Sequence, residues 1–178
     1  HDARRMTRRY HADGDAITAN RLKLQAIGKQ IVAAVPGAAI AADQAYRETD
    51  LAIDFCEDVR PLERDAINQI VSLMIDAGMT VKVSSIHVNG WFGDYDKLTM
   101  ISHLFDEVFQ VNLDEEKERF IFVGDSPNDQ PAFAYFPNAV GVANVRDFSD
   151  QLKSPPAFVT EGRAGYGFVE LASCLLAD

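Results

Sequence analysis

Phe120-Ile121-Phe122-Val123-Gly124-Asp125-Ser126-Pro127-Asn128-Asp129 is the stretch whose reading decides the fold. Four consecutive apolar residues, Phe120–Val123, predict a strand buried on both faces, as in a parallel sheet. Gly124 ends it. Two carboxylates, Asp125 and Asp129, then follow four residues apart around a Ser-Pro-Asn turn, and Pro131-Ala132-Phe133-Ala134 opens a helix. Open α/β sheets bind ligands at the carboxyl ends of their strands, where this pair falls. A few rigidly placed oxygen ligands suit a hard, partly hydrated cation such as Mg²⁺. Plain turn chemistry is the competing reading, because Asp and Asn are ordinary turn residues. The strand before and the helix after favour a metal–phosphate site. An EF-hand is excluded: its sixth position would be Gln130 and its twelfth Phe136. Asp13-Gly14-Asp15 fails similarly, with Ile17 where a third oxygen ligand belongs.

Working outward, 178 residues with 47% hydrophobic content can bury one domain or two small ones. No apolar run reaches the length of a membrane span, and no signal peptide is visible. The 17 Lys and Arg are outnumbered by 27 Asp and Glu, giving a net charge of −10. Such a chain repels nucleic acid and anionic membranes, so neither is an expected partner. Seven of the cations fall within the first 29 residues, which leaves the remainder more acidic still. Cys56 and Cys174 lie far apart without metal-ligand spacing, pointing to reduced thiols and a cytoplasmic location.

The first half reads as an α+β unit. Arg4–Tyr10 is expected to form a charged edge strand. Thr18 is the expected cap of a helix running to Val35, with Leu22, Leu24, Ile27, Ile31 and Val35 as its apolar stripe and Pro36-Gly37 as its stop. Strands are expected at Ala38–Ala42, Leu51–Phe55, Thr80–Ser84 and His87–Trp91. A helix opens at Pro61 and closes at Gly78, with Ile67, Ile70, Val71 and Met74 at helical spacing. The second half alternates helix and strand, which implies a parallel α/β layer. Asp96 caps a helix from Lys97 to Phe109; Ala139–Val142 and Ala157–Thr160 are short strands, and Gly167–Leu176 is a closing helix. The expected domains are residues 1–92 and 93–178.

Lys97 sits in the first turn of its helix, where the dipole and unpaired N–H groups favour an anion. A cation there calls for a negative partner. A phosphate held between Lys97 and a metal on Asp125 would be one, whereas a solvated surface lysine is the plainer reading of Lys97 alone.

Gly124–Asp129 resembles the fourth motif of the haloacid dehalogenase-like phosphohydrolases, and Asp96-Lys97-Leu98 resembles their third. Ala139–Asn144 is similar to the segment following motif four. The preceding α+β unit resembles the cap of subfamily IIB, which includes Cof-like, sucrose-phosphate, trehalose-phosphate and mannosyl-3-phosphoglycerate phosphatases. The resemblance implies a partial Rossmann-like parallel-sheet core (residues 93–178) preceded by an α+β cap (residues 1–92), an α/β chain overall. It further implies that Asp125 and Asp129 hold Mg²⁺, that Ser126 and Asn128 shape the substrate loop, and that Lys97 neutralises the phosphoryl group.

One departure is plain. The family's first motif is a hydrophobic strand ending Asp-x-Asp, which supplies the nucleophile and the general acid/base. Leu51-Ala52-Ile53-Asp54-Phe55-Cys56 has the strand and one Asp but carries Cys56 in the second position, and it reads better as a cap strand. The chain also opens His1-Asp2 without Met. It is therefore expected to be the carboxyl-terminal two-thirds of such a protein, inactive without a preceding core segment, which would be its partner, continuous or cleaved. The expected activity is hydrolysis of a small phosphorylated metabolite, a sugar phosphate above all. The alternative is a non-catalytic sugar-phosphate-binding or regulatory module that keeps the cation half-site.

Gly162-Arg163-Ala164-Gly165-Tyr166-Gly167 lacks a dinucleotide-binding pattern and reads as a turn and helix start. His87, Asn89 and Trp91 share a strand face and are candidates for sugar contacts, with satisfied strand residues as the plainer reading. The four histidines show no zinc spacing.

Overall fold

The computed structural model describes residues 8–177. They divide into two units: one takes in the chain up to Val81 together with His87–Asp94, the other Lys82–Ile86 and everything from Tyr95.

The first unit is built on an antiparallel sheet. Helix α1 (Gly14–Ala34) precedes strands β1 (Ala39–Ile40) and β2 (Asp50–Asp54); helix α2 (Arg64–Asp76) then leads to β3 (Thr80–Val83) and β4 (His87–Trp91), in the sheet order β1-β2-β4-β3. In the β2–β4 register, Asp50 stands opposite Trp91 and Asp54 opposite His87. Leu24 and Ile31 of α1, Ile70 and Met74 of α2, and Leu51, Ile53 and Val88 of the sheet are buried together in this unit's interior.

The second unit is a three-stranded parallel sheet, β5 (Ile121–Gly124), β6 (Asn138–Gly141) and β7 (Phe158–Val159), in that spatial order. Helices α3 (Lys97–Leu104), α4 (Leu113–Glu116), α5 (Gln130–Tyr135) and α6 (Ala164–Leu176) complete it. Its core is Leu113, Ala132, Phe133, Phe136 and Ala139, with Leu98, Ile101, Phe105 and Phe122 packed against them.

Several expectations need correction. Residues 4–7 of the expected first strand lie outside the described residues, and Arg8–Tyr10 form no regular element. The cap of α1 is Asp13, not Thr18: the Asp13 carboxylate accepts from Ala16 N at 2.8 Å, while Thr18 Oγ1 donates back to Gly14 O inside the helix. The buried stripe of α1 is Leu24, Gly28 and Ile31, with Leu22 turned out to solvent, 67% exposed. The helix from Lys97 is α-helical only to Leu104; a π-helical turn at Phe105–Phe109 follows, ended by Gln110 in the left-handed region at φ 55°. The wider turn leaves Val108 exposed while Phe105 packs edge-on against Phe120 at 4.7 Å. Finally, β5 is not covered on all sides. Among the described residues it pairs only with β6, and Ile121 is 40% exposed.

Candidate functional site

The loop at the carboxyl end of β5 is organised around one buried carboxylate. Asp129 is only 2% exposed, and its Oδ2 accepts from Asp125 N at 2.9 Å and Ser126 N at 3.3 Å. It closes the one-turn helix Pro127–Asp129 by reaching back to that turn's amino end. Proline fits the first position of the turn because no N–H is needed there. The carboxylate also occupies the space in which a side chain at residue 124 would sit. A Cβ on Gly124 would come within 2.6 Å of Asp129 Oδ2 and 2.8 Å of its Cβ, so the strand must end on glycine.

Lys97 reaches this loop from the start of α3. Asp96 caps that helix by accepting from Thr99 N at 3.0 Å, which sets Lys97 in its first turn. The ammonium group is 2.5 Å from Asp129 Oδ1 and 3.3 Å from Asn128 Oδ1. The anion that a first-turn cation requires is thus supplied by the protein itself. The side chain of Lys97 remains 54% exposed, so the charge is open to a second anion. Ser126, 2% exposed, shares its single hydroxyl proton between Asn128 Oδ1 at 3.0 Å and Asp125 Oδ1 at 3.3 Å. All five residues singled out in the sequence, Lys97, Asp125, Ser126, Asn128 and Asp129, therefore belong to one hydrogen-bonded network.

The oxygens are not equivalent. Both oxygens of Asp129 are engaged, one by two N–H groups and one by Lys97. Asp125 is half-buried; its Oδ1 lies 3.3 Å from Ser126 Oγ, and its other oxygen has no protein donor among the described residues. Among those residues no group of three or more His, Cys, Asp or Glu is arranged to hold a metal. A cation here would meet one open oxygen, on Asp125, beside the engaged carboxylate of Asp129, and would take most of its ligands from water, as Mg²⁺ does when it binds only one or two protein carboxylates.

Two supporting contacts have no signal in the sequence. Gln130 Oε1 accepts from Lys153 N at 2.6 Å and Ser154 N at 3.4 Å, tying a distant loop to the residue after Asp129. Asn144 Oδ1 accepts from Ala164 N at 2.8 Å, holding the start of α6, where Ala164 adopts φ 46°. A surface Gln or Asn looks like any other until the partner loop is placed. The glycines around α6 are packing residues: a Cβ on Gly167 would approach Gly162 O to 2.3 Å, in keeping with a turn and helix start.

Asp54 is held elsewhere. It lies 1% exposed at the end of antiparallel β2 and accepts from Cys56 N, Glu57 N and Asp58 N at 2.8–2.9 Å. Burial pushes its carboxyl upward, but the three backbone donors outweigh this and leave it below the ordinary Asp value. With its oxygens occupied by a turn, it serves the fold of the first unit. His87 Nε2 lies 2.9 Å from Glu57 Oε2, and Asn89 Oδ1 lies 3.4 Å from Arg47 Nη1, so both strand residues already have protein partners.

The sequence matches no protein-family model and no curated protein. Solved structures do match. The Thermoplasma acidophilum 0175 protein aligns at TM-score 0.61 with 16% identity, over 85% of this chain and 60% of its own. The sucrose-phosphatase of Synechocystis sp., solved with sucrose and phosphate, aligns at TM-score 0.60 with 16% identity, over 90% and 64%. A trehalose-6-phosphate phosphatase related protein aligns at TM-score 0.56 with 13% identity, over 93% and 65%. The chain thus spans under two thirds of the length of each. The likeness establishes the mixed α/β fold with its parallel sheet, the fold implied by the resemblance to haloacid dehalogenase-like phosphohydrolases.

Proposed function

We propose that this chain is the larger part of a Mg²⁺-dependent phosphoric monoester hydrolase acting on a small phosphorylated metabolite, a sugar phosphate above all. The observation that carries the reading is the convergence of Lys97, Asp125 and Asp129 on one loop at the carboxyl end of a parallel strand. One matched structure is a sucrose-phosphatase and another is a protein related to trehalose-6-phosphate phosphatase, which supports the substrate class.

In this reading Asp125 holds the metal directly, and Asp129 holds it or a water bound to it. Bound Mg²⁺ would polarise the phosphoryl oxygens and offset their charge. Lys97, already in the phosphate-facing first turn of α3, offsets the charge that develops as the phosphoryl group transfers. Ser126 and Asn128 keep the loop in shape through their mutual hydrogen bond; Ser126 is buried and does not meet the ester as its place in the motif implied, which leaves Asn128 to present a polar group to it. Asp129, pinned by two N–H groups and Lys97, fixes where the ammonium group stands. The first unit is proposed to act as the substrate-selecting cap.

The nucleophile is proposed to come from a preceding segment of the core, covalently continuous or a cleaved companion, whose Asp attacks phosphorus and is then released by water. Two features support this. Among the described residues one side of β5 has no strand partner, and such edges are ordinarily paired or covered. Helix α6 exposes Tyr166 (85%), Val169 (61%) and Leu176 (82%), an apolar surface suited to burial. The location proposed is cytoplasmic: Cys56 and Cys174 form no disulfide, and no helix among the described residues is long and apolar enough to cross a membrane.

Screening the protein together with its preceding segment against a panel of phosphate esters, with and without Mg²⁺, tests the proposal. Metal-dependent phosphate release from sugar phosphates is expected. Saturable binding of sugar phosphates with no release would favour the non-catalytic module instead.

A further inference from the structure

The first unit contains a cavity of about 340 Å³ to which nothing above assigns a role. Its size is that of a small-molecule site. One wall is the flank of α1, where Arg21, Gln25 and Lys29 stand at successive turns; the floor is Leu24, Ile40 and Leu51; Gln44 and Arg47 close the far side. Close helix–strand packing creates the floor. A Cβ on Gly28 would meet Leu51 Cδ1 at 3.0 Å and Ile40 Cδ1 at 3.4 Å, so α1 lies directly on β1 and β2. The far wall is rigid. Gln44 donates to Asp50 O and accepts from Ala52 N, both at 2.8–2.9 Å, which continues along β2 the pairing that β1 leaves off.

The charges in the cavity are unequal in their commitments. Arg47 is bound to Asp43 and Asp50, and Glu48 is paired with Arg8. Arg21 and Lys29 have no ion-pair partner among the described residues, in a chain whose net charge is −10. They bracket Gln25 along about 12 Å of helix, and side chains of their length can converge on a group between them. A concave site with an apolar floor and two uncommitted cations at its rim recognises an anion carried on a compact apolar body.

We propose that this cavity is a binding site for a small organic anion, a phosphate or carboxylate group on an apolar body, separate from the Lys97–Asp125 loop. The proposal does not depend on the phosphohydrolase reading. Phenylphosphonate, which cannot be hydrolysed as an ester, is the probe, titrated with EDTA present into isotopically labelled full chain and followed by NMR. Shifts are expected at the side-chain amides of Gln25 and Gln44 and the backbone amide of Ala45. Benzyl alcohol and inorganic phosphate, each carrying half of the recognition, are expected to bind more weakly. The Arg21→Gln/Lys29→Gln double variant is expected to weaken phenylphosphonate binding about tenfold or more. Gly28→Val, which would force α1 away from Leu51 and Ile40 and so deform the floor, is expected to abolish it, and the amide pattern outside the cavity reports whether either variant is folded. Absence of shifts up to the probe's solubility, shifts confined to the Lys97–Asp125 loop, or undiminished binding to a folded double variant would each overturn the proposal.

Discussion

Gly124→Ala is the most exacting perturbation of the site, because it adds one methyl group where no backbone strain intervenes. Gly124 is not among the residues with positive φ, so alanine can adopt its conformation. The new Cβ would meet three atoms of Asp129 at 2.6–2.8 Å. Asp129 cannot swing aside without giving up its two N–H bonds and Lys97. Overpacking of this kind costs about 1–3 kcal/mol, and a weakened hydrogen bond to a charged group adds about 1.5–3. A loss of about 2.5–6 kcal/mol follows, which in a unit of this size lowers Tm by roughly 10 °C or more. Thermal unfolding of the protein with its preceding segment measures it, and a double-mutant cycle isolates the cause. With Asp129→Gly in the background all three opposing atoms are gone, and the cost of Gly124→Ala should fall by about 1 kcal/mol or more. A Gly124→Ala protein as stable as wild type, or a cost indifferent to residue 129, would refute the packing argument.

Three further outcomes are expected. Lys97→Ala should lower turnover severely and more than Lys97→Arg, which should still fall short of wild type because a planar fork does not replace a point charge; steady-state kinetics on the best ester from the panel decide this, and wild-type turnover in Lys97→Ala would return the residue to the surface. Asp54→Asn should cost about 1–3 kcal/mol at neutral pH, measured by urea unfolding. Its folded pKa lies below the unfolded value of about 3.9, so the carboxylate stabilises above that pH and the gain is lost as pH falls through the folded pKa; the gap between variant and wild type should therefore narrow as pH falls below the unfolded value, and a gap that widens on acidification would contradict the assignment. Residues 1–178 expressed alone should release no phosphate from any ester in the panel, and turnover above background would show that the nucleophile lies within this chain.

How much of this was legible in the sequence depends on how local the determining contact is. The site loop was readable because its logic is contained in ten residues: an apolar run, a glycine that must lack a side chain, and two carboxylates around a proline turn. The strand His87–Trp91 was readable because alternation with period two has no helical alternative. The cap of α1 was misplaced because Asp13 and Thr18 are both competent caps, and only the earlier one leaves Thr18 to bond within the helix. The π-helical turn after Leu104 could not be seen, since it depends on Phe105 meeting Phe120 and on Val111 N reaching Phe105 O. Helix α4 was missed because Asp114-Glu115-Glu116 reads as a solvated loop, whereas Asn112 caps it by accepting from Asp114 N at 3.1 Å. The expectation that β5 is buried on both faces drew on composition alone, which reports what a strand can bury and not which neighbours are present.

The central claim is that Asp125 holds a metal for phosphoryl transfer, and Mg²⁺-dependent phosphate release by Asp125→Asn in the protein with its preceding segment tests it most directly. Loss of a direct ligand's charge should remove several kcal/mol of transition-state stabilisation, on the order of a thousandfold in turnover, with the unfolding midpoint unchanged because Asp125 is half-buried and, among the described residues, its carboxylate meets no side-chain donor but Ser126 Oγ at 3.3 Å. Turnover equal to wild type at saturating Mg²⁺ would contradict the account.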